Sequence, residues 1–263
     1  MKKIKKVLVV YYARYYGTLS DVKKIIGKNK VAAKYVKREN EAAIKRGVKN
    51  SDAVVVVGGD GTLLRVSHFV ENTPVLHVSA GMQKHEAFFA KATTSDFEKK
   101  LRLMMKGKYK LLPLMRLEAA LNGKKLPFMA LNEVYVGIKE SYHVAKYKLI
   151  IGSRAEDQKS SGIIISTPAG SHAWAKSAGG RLVALRAKKI EYVIREPYFG
   201  RLTKPKMTRG VLGSHQKITI ISKIWDKHKG IVVIDSYKKE FEFNNGSKLV
   251  VKAAKQPLNL ICF

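Results

Sequence analysis

The sequence predicts two domains: a layered, Rossmann-like α/β domain over residues 1–100 and an all-β domain over 101–263. Three observations carry this. Apolar strand-like runs alternate with helix-like segments as far as about Lys106, the texture then turns to strands alone, and an Asn-Gly pair marks a hairpin just beyond the change.

Lys6 to Tyr12 reads as the first strand: the basic start Met1-Lys2-Lys3-Ile4-Lys5-Lys6 leads into Val7-Leu8-Val9-Val10 with no small-residue cleavage site, as a signal peptide would need. Helices are expected at Leu19 to Lys28, with Ser20-Asp21 as its cap, and at Val31 to Arg46, closed by Gly47. Ala53 to Val57, four valines ending at glycine, is a buried strand, because β-branched side chains suit a pleated surface and no polar alternation interrupts them. A helix over Leu63 to Val70 follows, then a strand from Pro74 to Ser79 ending in Ala80-Gly81, then a helix opened by Ser95-Asp96 and running to Lys106 before Gly107. Strands separated by helices imply a mainly parallel sheet, with ligands bound at the carboxyl ends of its strands.

Beyond Lys108, Tyr109 to Leu121 and Leu126 to Gly137 form a hairpin about Asn122-Gly123. Further strands are expected at His143 to Gly152, Gly162 to Ser166, Ile190 to Arg195, Gln216 to Trp225, Gly230 to Ser236 and Lys248 to Ala253, and the domain boundary at Ser95 to Gly107.

Three stretches carry chemistry. In Gly58-Gly59-Asp60-Gly61-Thr62 the glycines admit a ligand to the backbone, and the helix start offers N–H groups to an anion. Asp60 repels a phosphate there unless it holds a metal ion or takes a proton during reaction; the alternative is that it only caps the helix. Asn132-Glu133 sets an amide beside a carboxylate in a strand-like run, where adjacent side chains face opposite ways unless the strand ends or bulges. Ser160 to Gly180 reads as a strand, a Pro/Gly turn and a short helix ending at Gly179-Gly180, and its hydroxyls at Ser166, Thr167, Ser171 and Ser177 suit an uncharged, donor-seeking ligand such as a sugar or an amide.

Hydrophobic content of 46% with 9% aromatics is that of a globular chain, and no apolar run approaches the roughly 18 residues of a membrane helix. The single cysteine, Cys262, excludes an internal disulfide framework and suits the reducing cytoplasm. The seven histidines lack paired metal spacing, so no protein-bound zinc or iron is assigned. The net charge of +31 is spread along the whole chain; heat adaptation usually enriches Glu along with Lys, so it does not account for the excess, and non-specific association with nucleic acid at low salt is expected. Lys84, Lys176 and Arg181 stay unassigned as phosphate partners, since neighbouring cations arise by chance in so basic a chain.

Taken together, Gly58-Gly-Asp-Gly-Thr62, Asn132-Glu133 and Thr167-Pro-Ala-Gly-Ser-His-Ala-Trp174 running to Ser177-Ala-Gly-Gly180 resemble the NAD kinase family, in the family's order and across much of the chain. The resemblance implies phosphorylation of the 2′-hydroxyl of the adenosine ribose of NAD, with ATP or polyphosphate as donor, Mg²⁺ bridging the donor phosphates, and a homo-oligomer. It makes Asp60 the catalytic carboxylate and Gly58, Gly59, Gly61 and Thr62 the phosphate loop. It gives the dinucleotide Asn132, Glu133, Ser161, Thr167, His172, Ala173, Trp174 and Ser177. The chain departs from the family at Ser161, where an Asp commonly precedes the glycine and helps to hold the nicotinamide side. It also departs at Ala169, at His172, at Trp174 and in Ala80-Gly81-Met82-Gln83-Lys84-His85-Glu86, as a divergent, archaeal-type member would. Sphingosine, diacylglycerol and phosphofructokinases carry similar glycine turns, so a related small-alcohol kinase is one rival, and a non-catalytic nucleotide or nucleic-acid binder another.

Overall fold

The computed structural model describes residues 1–79, 87–140, 142–225 and 228–263. The expected strand end at Ala80-Gly81, the departure over 80–86 and Lys84 lie outside them. Two compact units emerge, one of Met1–Leu114 with Pro257–Phe263, the other of Met115–Gln256.

In the first unit β1 (Lys6–Tyr11) leads to α1 (Tyr16–Lys28), β2 (Ala32–Lys37), α2 (Glu41–Lys49), β3 (Ala53–Gly58), α3 (Asp60–Ser67), β4 (Val75–Ser79), α4 (Thr94–Met105) and β5 (Lys110–Leu114). Strand pairs β1/β2, β1/β3 and β3/β4 are parallel. The last strand of the chain, Leu258–Cys262, meets β4 in parallel and β5 antiparallel. β3 is buried at every residue because helices cover both faces of a parallel sheet, which is what the valine run implied. Val9, Val55, Val57 and Leu76 pack with Leu19, Val22, Phe97 and Leu101 of the helices into this unit's core.

The helix expected over Val31 to Arg46 is two elements. Lys30 takes a left-handed φ of 53° and stops the preceding helix, after which Ala32–Lys37 pairs with β1 as an edge strand with only Val36 buried. Its alanines and lysines lack strand character, and the backbone ladder overrides that weak preference. Asn40 then opens α2 by accepting the Ala43 N–H at 3.0 Å. α1 also begins earlier than expected, at Tyr16, so Ser20 and Asp21 lie inside it.

Neither the run Tyr109 to Leu121 nor the run Leu126 to Gly137 is one strand: the second breaks between Ala130 and Glu133, and its halves join different sheets. The two units meet in sequence at 114/115 and 256/257, since β5 pairs with the last strand in the first sheet. The second unit carries β6 (Leu117–Leu121), β7 (Lys124–Ala130), β8 (Glu133–Ile138), β9 (Ala145–Ile151), β10 (Arg154–Ser160), β11 (Gly162–Ser166), α5 (Trp174–Ser177), β12 (Lys189–Arg195), β13 (Arg209–Gly213), β14 (Lys217–Ser222), β15 (Gly230–Ile234), β16 (Phe241–Glu242) and β17 (Lys248–Ala253). The Asn122-Gly123 turn between β6 and β7 has φ of 49° and 80°, the left-handed pair a two-residue hairpin needs. Among the described residues these strands pair antiparallel in two sheets, in the orders β10-β9-β14-β17-β6-β7 and β13-β12-β11-β8-β15-β16. Side chains from both, among them Tyr147, Leu149, Ile218 and Val251 against Val134, Ile163, Ile190 and Val232, fill one core. β9 alternates buried and half-buried residues, as a strand with one covered face must, whereas β8 and β11 are buried throughout. Their second face lies under α5, where Tyr135, Ile164 and Val193 pack on Ala175 and Trp174. No helix among the described residues is long and apolar enough to cross a membrane.

Candidate functional site

In the first unit the glycine turn links β3 to α3, at the carboxyl end of a central strand. A Cβ at Gly58 would stand 2.7 Å from the Thr62 hydroxyl, so only glycine lets the turn close this tightly. Thr62 is buried, and its Oγ1 accepts from Arg38 Nη1 at 3.4 Å. Arg38, which stacks over the Tyr12 ring at 3.4 Å, is a cation beside the turn that sequence spacing did not reveal, because β2 itself was read as helix.

Asp60 is the first residue of α3, and the helix N-cap is Gly59, with no side-chain cap. The Asp60 carboxylate turns away from its own helix: Oδ2 accepts the Phe88 N–H at 2.9 Å and Oδ1 the Phe89 N–H at 3.2 Å. The capping alternative therefore does not describe it. Two backbone donors hold a carboxylate that stays 23% exposed, an arrangement suited to a fixed base. Behind it lies fully buried His77, to which the expected strand from Pro74 to Ser79 assigns no role.

In the second unit Asn132 and Glu133 are both buried, because the strand begins at Glu133 and Asn132 stands just before it. Asp235, after β15, gathers the backbone there: its carboxylate accepts the N–H groups of Leu131 at 2.7 Å, Asn132 at 2.7 Å and Glu133 at 3.1 Å. Burial, then the neighbouring Asp235, pushes the Glu133 carboxyl up to about 8. Burial likewise raises Asp235 to about 7, against the pull of those three N–H groups and Arg116. Among the described residues, Asn132 Oδ1 and Glu133 Oε2 are buried without a hydrogen-bond partner, two acceptors that an incoming donor-bearing ligand would satisfy.

The Thr167 loop is locked onto this pair. Thr167 donates its hydroxyl to Leu131 O at 2.6 Å, its N–H to Asn132 O at 2.8 Å, and accepts from Gly170 N–H at 3.0 Å. A Cβ at Gly170 would lie 2.0 Å from Asn132 O, so the family-like glycine is what allows the contact. Ser171 Oγ likewise donates to Pro168 O and accepts the Val183 N–H. Ser166 faces Glu191 at 3.2 Å. Those hydroxyls brace the loop, where their number alone had suggested free donors. Of the rest, His172 and Ser177 lie at the surface and Ala173 is half-buried.

Trp174 is half-buried and its ring centre lies 5.0 Å from that of Tyr135, whose hydroxyl donates to Ser161 O at 2.7 Å. Arg195 stands 5.4 Å from the Trp174 ring. Ser161, at the position lacking the expected carboxylate, donates its hydroxyl to Glu196, which holds a left-handed φ of 48° and pairs with Arg195 at 3.1 Å. The Ser161 hydroxyl and Arg195 hold the Glu196 carboxyl below its ordinary range. A carboxylate thus reaches this spot from β12's end, a relation no local motif could reveal.

Among the described residues no three carboxylate, histidine or cysteine side chains converge on one point.

Comparison with known proteins agrees with the sequence motifs. Residues 5–109 match the ATP-NAD kinase N-terminal domain and residues 131–263 the ATP-NAD kinase C-terminal domain. A probable NADH kinase of Oryza sativa subsp. japonica is 28% identical over 236 residues, 81% of this chain and 72% of that protein. The NAD kinase of Thermoplasma acidophilum is 25% identical over 215 residues, 81% of this chain and 75% of its own length. Among solved structures, an NAD kinase from Archaeoglobus fulgidus in complex with ATP superposes with a TM-score of 0.77 at 21% identity, covering 97% of this chain and 92% of that one. Yeast NADH kinase complexed with NADH gives 0.82 at 18%, covering 100% and 84%. These two likenesses establish the same fold. Both domain models match in order and take in nearly the whole sequence: the chain belongs to the NAD kinase family.

Proposed function

We propose that this chain transfers the terminal phosphoryl group of ATP to the 2′-hydroxyl of the adenosine ribose of NAD, giving NADP. The observation that carries the reading is Asp60, a carboxylate in a glycine turn that two backbone N–H groups hold away from its own helix and leave partly open. Transfer is in line: the acceptor oxygen meets the terminal phosphorus as the bond to the bridging oxygen lengthens, and Asp60 orients the hydroxyl and takes its proton. The glycines of the turn, Gly58, Gly59 and Gly61, let phosphate oxygens approach the positive end of α3, with Arg38 adding charge nearby. Buried Asn132 and Glu133 supply acceptors for the adenosine, and Tyr135 with Trp174 offers an aromatic wall near the Ser161–Glu196 pair for the far end of the dinucleotide.

Mg²⁺ fits as the donor's own counter-ion. Held by phosphate oxygens and water, the ion would neutralise charge that builds on the leaving diphosphate. A cytoplasmic homo-oligomer is the accompanying reading, and sedimentation tests its assembly. Purified protein with Mg²⁺, NAD or NADH, and ATP or polyphosphate tests the activity through the NADP or NADPH formed. Absence of product with every donor sinks the proposal; product from the wild type and none from Asp60→Asn supports it.

A further inference from the structure

His77 stands in the middle of β4, wholly buried, one strand over from the glycine turn. Its Nε2 lies 2.8 Å from the Gly58 carbonyl oxygen. A carbonyl only accepts, so Nε2 carries the proton and the neutral ring leaves Nδ1 bare. That nitrogen is buried with no hydrogen-bond partner among the described residues. It faces Asp60 Oδ1 at 3.7 Å. An orphaned ring nitrogen in a core is costly, and this one points at the carboxylate on which the proposed chemistry depends.

We propose that His77 is a positioning residue for phosphoryl transfer: Nδ1 accepts, in an Asp60 Oδ1–H···Nδ1 hydrogen bond, the proton that Asp60 collects from the acceptor hydroxyl. The inference rests on the reading of Asp60 as the base. Before reaction a bare lone pair and a carboxylate oxygen face one another and repel, so the pair gains most when one proton arrives between them. The separation lies just beyond hydrogen-bond length and closes once the proton is there. The groups facing the ring are Asp60, the Gly58 carbonyl and Lys91. Burial, the dominant influence, and the Lys91 charge hold the imidazole neutral, while Gly58 and Asp60 pull the other way. The Phe88 and Phe89 N–H groups fix the carboxylate between ring and solvent, so the two faces of Asp60 serve different partners.

The balance of the step is simple. The acceptor O–H bond breaks, its oxygen forms the new bond to phosphorus, and the old bond to the bridging oxygen breaks with its electron pair leaving on the diphosphate. The proton rests on Asp60, shared with Nδ1, until it passes to water after the products leave.

The test uses His77→Gln, whose amide can still donate to Gly58 O but has no nitrogen at the Nδ1 position, and His77→Asn, which keeps a polar atom near it. His77→Gln is expected to lower kcat about tenfold or more while KM for NAD and for ATP stays within about twofold, part of the range that acid–base chemistry supplies. Adding it to Asp60→Asn lowers kcat no further, because the two act on one proton. Nitrogen-15 spectra of the wild-type imidazole at neutral pH should show protonated Nε2 and bare Nδ1, with Nδ1 moving in Asp60→Asn, whose amide can donate to it. Unchanged kcat in a folded His77→Gln, equal losses in the two backgrounds, or a proton on Nδ1 overturns the proposal. If His77→Gln does not fold, the spectra decide alone: a bare Nδ1 that moves in Asp60→Asn supports the proposal and a proton on Nδ1 overturns it, while His77→Asn, which can still accept near the Nδ1 position, is expected to keep most of kcat. A wild type that makes no NADP instead removes the parent reading, and the spectra still report whether Nδ1 faces residue 60 unprotonated.

Discussion

Asp60 and Glu133 are both carboxylates in the proposed site, yet their surroundings set them to opposite tasks. Asp60 is partly open and held by two N–H donors, which suits an ionised base. Asp60→Asn keeps the shape and the helix start, so product formation should fall by about 10²-fold or more with the melting temperature nearly unchanged. An equally active variant would remove Asp60 from the chemistry. Glu133 is buried beside Asp235 and raised from 4.5 to about 8. A carboxyl raised in the fold holds its proton more tightly folded than unfolded. Its contribution is therefore greatest below the unfolded value and is lost as pH climbs toward about 8. Glu133→Gln carries no charge, so it should gain stability relative to the wild type as pH rises, by about 3 kcal/mol near pH 9 and little near pH 5. Denaturant melts at the two pH values check this, and a pH-independent difference would refute it.

At the scale of elements, the glycine at 170 decides whether the Thr167 loop can sit on Asn132. Gly170→Ala puts a Cβ 2.0 Å from the Asn132 carbonyl oxygen, where backbone must shift. The expected cost is about 2 kcal/mol or more, with KM for NAD rising because the loop leaves Asn132; calorimetry and kinetics read the two effects. A neutral Gly170→Ala would mean that the loop is not held there in solution. This loop also marks what the sequence could disclose. Strands with strong signatures were legible: the valine run, the Asn122-Gly123 hairpin and Gly162 to Ser166 all fall where β-branched residues and turn chemistry put them. β2 was not, because its alanines and lysines have helical preference and only pairing with β1 makes them a strand. The runs Tyr109 to Leu121 and Leu126 to Gly137 each read as one strand, and no local signal tells that the two halves of each serve different sheets. In the candidate site the glycine turn, Asn132-Glu133 and the long loop were legible as motifs. Arg38, His77, Asp235 and Glu196 were not, since each reaches its partner through pairing between distant strands or across a chain turn.

For the molecule as a whole the dominant quantity is charge. With 51 Lys and Arg against 20 Asp and Glu, the carboxylates are outnumbered, and many already engage a cation, as Asp157 does with Lys223 at 2.7 Å and Glu118 with Lys125 at 2.6 Å. These exposed pairs add little stability singly, but they leave most of the remaining lysines unopposed, so the surface field is strongly positive. Such a field draws any polyanion, and it does so by releasing condensed counterions, which makes the affinity depend steeply on salt. Binding of a random-sequence single-stranded DNA, followed by fluorescence anisotropy, should therefore weaken by about 100-fold or more between roughly 50 and 200 mM salt, with no preference among sequences of equal length. The kinase reading needs no such partner, so NADP formation at 200 mM salt should be indifferent to added DNA. Affinity that persists at 200 mM salt, or that distinguishes sequences, would instead mean that part of this surface is a built nucleic-acid site, because a diffuse field of lysines supplies neither salt resistance nor base selectivity.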